Sequence, residues 1–416
     1  MRYCVRVCRG ATLNDCQPVV RLSALSHSDF QAASCFCEVS TVTIKSWPPP
    51  YRLFFRQYGR VLTIRKELLW QNMIKAVAFY LPQYHVIPEN NIYGKNFTEW
   101  CNVQRAIPLY DGHAQPHIPH SILGYYDLTD EKILTKQHHI AWDNNVTAFC
   151  YYYYNMAGRT LLDAPLHIIN KSRLIRNEFC LCWAHECWYD NTQPKRIKPF
   201  IAQEYSPENA RKIIRDLAQY FDNPRHIRID GKPLLLVFAP ERNPRMPEYS
   251  QIWREVAWTM GHTELCLAGV ECHVGQHPAN LGFDLMVEFA PNLNPVNMLS
   301  IAGEEPRRFD YVATVQDMLL KETPDYTRLR CAFPGWDNTP RRGRHGLSFE
   351  RTSVDVFIAA LRTLAQHTRA HLPENLQYVF INAWNEWGEG CHLEPDQKDG
   401  FAYLHAVRSV MNEFNA

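Results

Sequence analysis

"IKAVAFYLPQYH", residues 74 to 85, decides the fold. It is an apolar run of strand character, Ile74 to Tyr80, that stops at a proline turn and hands over to Gln83, Tyr84 and His85. A continuous apolar run suits a strand buried on both faces, as in a parallel sheet covered by helices. Neither GxGxxG nor GxxxxGK[ST] follows it, so the phosphate-binding turns of the doubly wound nucleotide folds are missing. Working outward, similar runs recur at about Val146–Tyr154, Phe179–Ala184, Leu234–Phe238, Leu265–Val270, Leu285–Phe289, Cys331–Phe333 and Tyr378–Ala383, making eight. Most are separated by amphipathic helical stretches. In "SPENARKIIRDLAQYF", from Ser206, the serine caps, Pro207 suits the first turn, and Ile213, Ile214, Leu217 and Phe221 form one stripe. "SVDVFIAALRTLA", from Ser353, repeats the pattern with Val354, Phe357, Ile358, Leu361 and Leu364. Strand and helix alternating eight times over about 340 residues predicts an α/β chain folded as a (β/α)8 TIM barrel, with an open doubly wound sheet as the alternative.

The barrel is expected to span 73–416 as a single catalytic domain. Residues 1–72 differ, with ten Lys or Arg against four Asp or Glu, five of the 14 cysteines, a SWPPPY break at 46 to 51 and no sustained periodicity. They read as a disordered extension or as sequence outside the native domain, which would then begin near Met73. A net charge of +1 over 416 residues argues against nucleic acid as a partner. The chain has no apolar run of transmembrane length and no apolar stretch of signal type at the N-terminus, so a soluble cytoplasmic protein is expected. The cysteines are scattered along apparent strands and lack paired CxxC spacing, which predicts buried free thiols.

In a barrel, the residues that follow each strand form the active-site face. Here they are Gln83, Tyr84 and His85; Tyr153, Tyr154 and Asn155; Trp183, His185 and Glu186; Glu241; Glu271; Glu288; Trp336 and Asp337; and Asn385 and Glu386. Six are carboxylates, and like charges gathered on one rim cost stability unless function requires them. Aromatics interleaved with carboxylates suit sugars, because rings pack on pyranose C–H faces and carboxylates accept hydroxyl hydrogen bonds. Tyr151 to Tyr154 also read as plain core packing.

Glu386 and Glu389, in "NEWGEG", are spaced i, i+3 and share one face if the turn is helical. Gly388 and Gly390 let the backbone bend there. Two carboxyls in an aromatic pocket can be driven to different pKa values, one acid and one base. The competing reading has Glu389 capping a helix or pairing with Arg341 or Arg342. No metal site or cofactor is expected, because His85, His185 and His392 form neither HxH nor HExxH, His138 and His139 fall on a predicted helix, and Cys180, Cys182 and Cys187 have weak metal spacing. Nucleophilic serine chemistry has no GxSxG support.

"AFYLPQYHVIPEN", "GKNFTEWCNV", "GYYDL", "FCLCWAHECW", "GKPLLLVF", "PGWDNTPRR" and "INAWNEWGEGCHLEPD" together resemble the WbsX family of bacterial surface-polysaccharide proteins, itself similar to glycoside hydrolase family 99. The resemblance runs from about residue 74 to 411 and leaves residues 1–72 without a counterpart. It implies a (β/α)8 barrel and a carbohydrate-active enzyme of lipopolysaccharide or O-antigen assembly, with hydrolysis and glycosyl transfer both open. By the same resemblance, Glu386 would act as base on a sugar 2-hydroxyl, giving a 1,2-anhydro intermediate and retention, while Glu389 would serve as acid and then base. Trp384, Asn385 and Trp387 would shape the sugar subsite, and Tyr84, His85, Glu99, Trp100, Tyr154, Trp183, Glu186, Trp336 and Asp337 would face substrate. Arg341 and Arg342 would steer an anionic group or pair at the surface. The implied partners are a glycan and either a nucleotide-sugar or a lipid-linked oligosaccharide. Relatives tend to read WANENW and YYHYWF where this chain has WAHECW and YYYYNM. Those departures keep open a catalytically silent glycan-binding protein, and a metal-dependent barrel hydrolase is the third class.

Overall fold

The computed structural model describes residues 73–415, apart from 191–197, 263, 273–275, 293–295 and 302, together with four short strands in the first 72 residues. Those four pair antiparallel two by two, Tyr3–Arg6 with Arg21–Ala24 and Leu53–Gln57 with Arg60–Ile64. The rest of residues 1–72, and with it the expectation of disorder there, lies outside the described residues.

The second unit, Trp70–Ala416, is the barrel. Its parallel strands are β1 (Lys75–Tyr80), β2 (Val146–Met156), β3 (Glu178–Trp183), β4 (Lys232–Phe238), β5 (Cys266–Glu271), β6 (Leu285–Glu288), β7 (Arg328–Leu329), β8 (Cys331–Ala332) and β9 (Tyr378–Ile381). The spatial order is β7-β6-β5-β4-β3-β2-β1-β9-β8. Closure depends on a split strand: β7 pairs with β6, β8 pairs with β9, and only Arg330 separates them. Nine ladder segments therefore fill eight strand positions, and a (β/α)8 barrel is what the structure shows.

The strands form because their apolar, β-branched and aromatic residues can be buried on both faces; every residue of β2 and β5 is buried. Helices α1 (Glu99–Gln104), α2 (Glu131–Asp143), α3 (Ala164–Lys171), α4 (Pro207–Phe221), α5 (Met246–Thr259), α6 (Tyr311–Leu319), α7 (Thr339–Arg342), α8 (Val354–His371) and α9 (Ala402–Asn415) supply the crossovers and two short loop helices. The start of α4 follows the expected chemistry, with Ser206 Oγ accepting from Asn209 N at 3.2 Å and Pro207 opening the first turn. Ser353 caps α8 in the same way. Among the described residues, the crossover from β5 to β6 carries a 3-10 turn, Pro278–Leu281, and no α-helix. Among the described residues, no helix is long and apolar enough to cross a membrane. The nine described cysteines are free thiols, seven of them buried.

Candidate active site

The C-terminal ends of the strands enclose a cavity of about 470 Å³. The two-residue alternation of a strand chooses its floor. Tyr151 turns outward, with its hydroxyl 2.8 Å from His138 Nε2 on α2, and Tyr153 contacts Thr160, whereas Tyr152 and Tyr154 line the cavity. Tyr152 packs edge-on to Phe238 at 6.0 Å, Phe238 to Phe289 at 5.3 Å, and Phe289 to Trp336 at 6.2 Å between ring centroids. A side wall of Tyr93, Phe97, Trp188 and Phe200 continues this aromatic surface. Such a lining offers flat apolar faces with polar tips, the surface that a pyranose ring packs against.

Over the floor hangs the 386–389 turn. Asn385 fixes it by imitating a strand neighbour: its side-chain oxygen accepts from Leu81 N at 2.7 Å and its Nδ2 donates to Leu81 O at 2.9 Å. Tyr84 straps the next residue from both sides, donating to Asn385 O at 2.6 Å and accepting from Trp387 N at 3.2 Å. Trp387 Nε1 donates to Glu394 at 2.7 Å, and Asp337 N donates to Glu389 O at 2.6 Å. Gly388 is required by close approach, because a Cβ there would stand 2.1 Å from Glu99 Oε1.

These anchors aim Glu386 and Glu389 at one cation. Arg341, on α7, donates from Nε to Glu99 at 2.6 Å, from one terminal nitrogen to Glu389 at 2.6 Å and from the other to Glu386 at 2.8 Å. Three carboxylates thus share one guanidinium. Burial alone would lower Arg341, but the charges of Glu99, Glu386 and Glu389 outweigh it and hold the group firmly protonated. Burial pushes Glu386 up to about 8; Arg341 opposes this, and the charges of Glu389 and Glu99 reinforce it. Glu389 is raised too, by burial first and by the charge of Glu99, against the opposing charges of Arg341 and Arg342. At neutral pH the pair therefore retains a proton that free carboxylates would have lost.

The predicted site residues divide into two groups. Glu386, Glu389, Glu99, Tyr154, Glu186 and Trp336 line the cavity, and Glu186 is paired with Arg242. Tyr84, His85, Trp100, Trp183 and Asp337, expected to face substrate, and Trp384, Asn385 and Trp387, expected to shape the subsite, are buried and lie behind the cavity lining. Their bonds explain the placement. Trp183 turns to the helix layer and stacks on Tyr249 at 5.7 Å, and Trp100 Nε1 donates to Tyr126 O at 2.8 Å. Trp384 packs on Phe149 at 5.2 Å. Asp337 accepts from His113 and Gln115, both at 2.7 Å, and from Thr339. Of the six rim carboxylates, only Glu186 and Glu386 reach the cavity. Glu288 is held by Arg330 and Lys321 at 2.8 Å each, and Glu271 by the Tyr326 hydroxyl at 2.8 Å with Arg328 at 3.6 Å. His185 is fully buried against Tyr205, while Cys187 lines the cavity. Phe238 and Phe289 were missed as floor residues, although each is the aromatic end of an apolar run. Arg105, Arg242 and Arg307 were also missed.

The profile of the family described as Glycosyltransferase WbsX matches residues 76–407. The chain belongs to the WbsX glycosyltransferase family. Two relatives, both the uncharacterized protein WxcX from strains of Xanthomonas campestris pv. campestris, are 38% and 37% identical over 345 residues, covering 80% of this chain and 49% of theirs. This WbsX chain thus spans about half the length of those relatives. Among solved structures it is similar to the GH99 endo-α-mannosidase of Bacteroides thetaiotaomicron, with 15% identity, a TM-score of 0.53, and 82% and 97% of the two chains covered. A glycoside hydrolase-like protein matches with 12% identity, a TM-score of 0.51, and coverage of 82% and 94%. At such identities the likeness shows a shared fold, the barrel that this WbsX chain and the GH99 enzyme have in common.

Proposed function

We propose that the protein is a retaining enzyme acting on glycosidic bonds of a bacterial surface polysaccharide, with Glu386 and Glu389 as its working pair. The observation that carries this reading is the Arg341 clamp, in which buried carboxylates in excess of cations face an open aromatic cavity. Such an arrangement costs stability and supplies one mobile proton. In the first step Glu386 accepts the proton of the sugar 2-hydroxyl, O2 bonds to C1, and the glycosidic oxygen leaves with the proton of Glu389. In the second step an acceptor hydroxyl or water attacks C1 and gives its proton to Glu389. The C1–O2 bond breaks, and O2 recovers its proton from Glu386. Two displacements at C1 retain configuration.

A specific feature favours transfer as the second reading over hydrolysis. Arg105, Arg242, Arg307 and Arg342 line the cavity as well as Arg341, and guanidinium groups recognise phosphate. A nucleotide-sugar or a diphosphate-linked lipid oligosaccharide fits that lining. A metal-dependent hydrolase is less favoured, because among the described residues the His/Asp cluster with metal-ligand spacing does not line the cavity.

The test is mass spectrometry of the products formed from α-mannoside and O-antigen oligosaccharides, with and without nucleotide-sugars, by wild type and Glu389→Gln. Products that depend on Glu389 support the pair: shortened chains identify a glycosidase, and chains lengthened only with nucleotide-sugar identify a transferase. Glycan binding without product, unchanged in Glu389→Gln, would leave a binding protein and overturn the proposal.

A further inference from the structure

Behind the reacting turn lies a second cluster that the proposed reaction does not use. His392 belongs to a short strand, Cys391–His392, antiparallel to Asn385–Glu386, and its ring stacks on Trp387 with centroids 3.7 Å apart and planes at 17°. Its Nδ1 lies 3.0 Å from Glu394 O, a contact that fixes the proton on Nδ1 and leaves a lone pair on Nε2. That lone pair faces His117 Nδ1 at 3.1 Å and Asp396 Oδ2 at 3.8 Å, and the three donor atoms lie within 4.8 Å of one another. Around a tetrahedral Zn²⁺ with bonds of about 2.0–2.1 Å, ligand atoms stand about 3.3–3.4 Å apart. The two separations from His392, 3.1 and 3.8 Å, bracket that spacing, and the His117–Asp396 separation, within 4.8 Å, closes as the ion draws the two side chains in.

The surroundings are those of a held ligand set. A ligating histidine ordinarily donates its second nitrogen to a carbonyl or carboxylate, as His392 does. Asp396 Oδ1 is occupied by Asp399 N at 2.6 Å, which leaves Oδ2 to face the histidines. His392 and Asp396 are buried and His117 is half-buried, so an ion can enter from the His117 side.

We propose that His117, His392 and Asp396 form a binding site for a divalent cation of the zinc class, with water as the fourth ligand. The ion is a clamp and not a reactant, since none of its ligands lines the cavity. The loop that bears His117 also bears His113 and Gln115, which hold Asp337, and Asp337 holds the backbone of Glu389. Of the other two ligands, His392 stacks on Trp387 of the turn, and Asp396 follows His392 by four residues. The ion therefore joins the two supports of the Glu386–Glu389 turn. No local spacing announces this set, because His117 and His392 are 275 residues apart.

The competing account is a plain hydrogen bond between His117 and His392. Full-length protein stripped with chelator would be titrated with Zn²⁺ and, separately, Co²⁺, using wild type, His117→Ala and Asp396→Asn. The wild type is expected to keep one equivalent of zinc through gel filtration, to gain melting temperature with zinc, and to give a cobalt spectrum of nitrogen and oxygen ligands. Both variants are expected to bind at least tenfold more weakly. No retained metal in wild type would leave the hydrogen bond alone and overturn the proposal. Thiolate-to-cobalt charge-transfer absorption, or one equivalent kept by both variants, would place the metal on cysteines and overturn it equally. If a variant fails to fold, the wild-type cobalt spectrum still decides between imidazole and thiolate ligation.

Discussion

Two acid–base clusters sit on the same barrel rim and solve opposite problems. At the β5–β6 edge, Glu271 and Glu288 meet Arg328, Arg330 and Lys321, so cations outnumber carboxylates. Burial would raise Glu288, but Lys321 and Arg330 outweigh it and hold the carboxyl below the usual range. In the second cluster, Glu99 from α1 and Glu386 and Glu389 from the turn after β9 all bond to Arg341, with the charge of Arg342 acting on Glu389 as well, and burial lifts both members of the pair. The first cluster joins the halves of a split strand and is closed off from the cavity. The second faces the cavity and remains short of countercharge. Position at the barrel rim is common to both clusters, whereas the ratio of carboxylates to cations, together with an open face, is what separates them.

Removing Arg341 from the second cluster should give the largest effect. Arg341→Ala strips the shared hydrogen-bonding cation from two buried carboxylates, Glu99 and Glu386, and the half-buried Glu389, and is expected to cost about 3–5 kcal/mol in denaturant unfolding, along with turnover. A loss below about 1 kcal/mol would mean that the cluster is solvated like a surface. Gly388→Ala comes next, since its Cβ would press on Glu99 and Arg341; overpacking of about 1–3 kcal/mol is expected, with reduced turnover in the protein that remains folded. Unchanged stability would show that the turn can move away from Glu99. The smallest effect is one of pH. With Glu386 raised to about 8 and Glu389 raised as well, the pair keeps its proton through neutrality and loses it above that value. Because the proposed reaction requires one proton on the pair, kcat/KM should hold through neutral pH and then fall about tenfold per pH unit beyond about pH 8. A fall that begins near pH 5 would show carboxylates of ordinary acidity.

The same contrast explains what the sequence revealed. All eight apolar runs became barrel strands, because burial on both faces writes a local signal. The split at Arg330 left none: only Cys331–Phe333 reads as strand, and the Arg328–Leu329 half emerges once Arg330 is seen to turn to Glu288, 42 residues away. Glu386 and Glu389 were legible because a few consecutive residues carry both. Glu99 was found through resemblance, but its bond to Arg341 spans 242 residues and could not be read. Residue type also says less than direction. The tryptophans at 100, 183, 384 and 387 all suited a sugar platform, yet each turns its ring into the core, and the platform is built instead from Tyr152, Phe238, Phe289 and Trp336. At a strand end one step reverses the face, and only packing decides which side chain looks inward.

The most direct test pairs one substitution from each cluster, Glu389→Gln and Glu288→Gln, measured for both turnover and unfolding free energy. The account predicts a crossing. Glu389→Gln should lower kcat by about 10²–10⁴ with stability unchanged or raised, since it relieves a carboxylate in excess. Glu288→Gln should lose about 3 kcal/mol of stability, since it strands two cations, while the folded fraction keeps its turnover. Full turnover in Glu389→Gln, or a loss of turnover in Glu288→Gln as large as that in Glu389→Gln, would contradict the account.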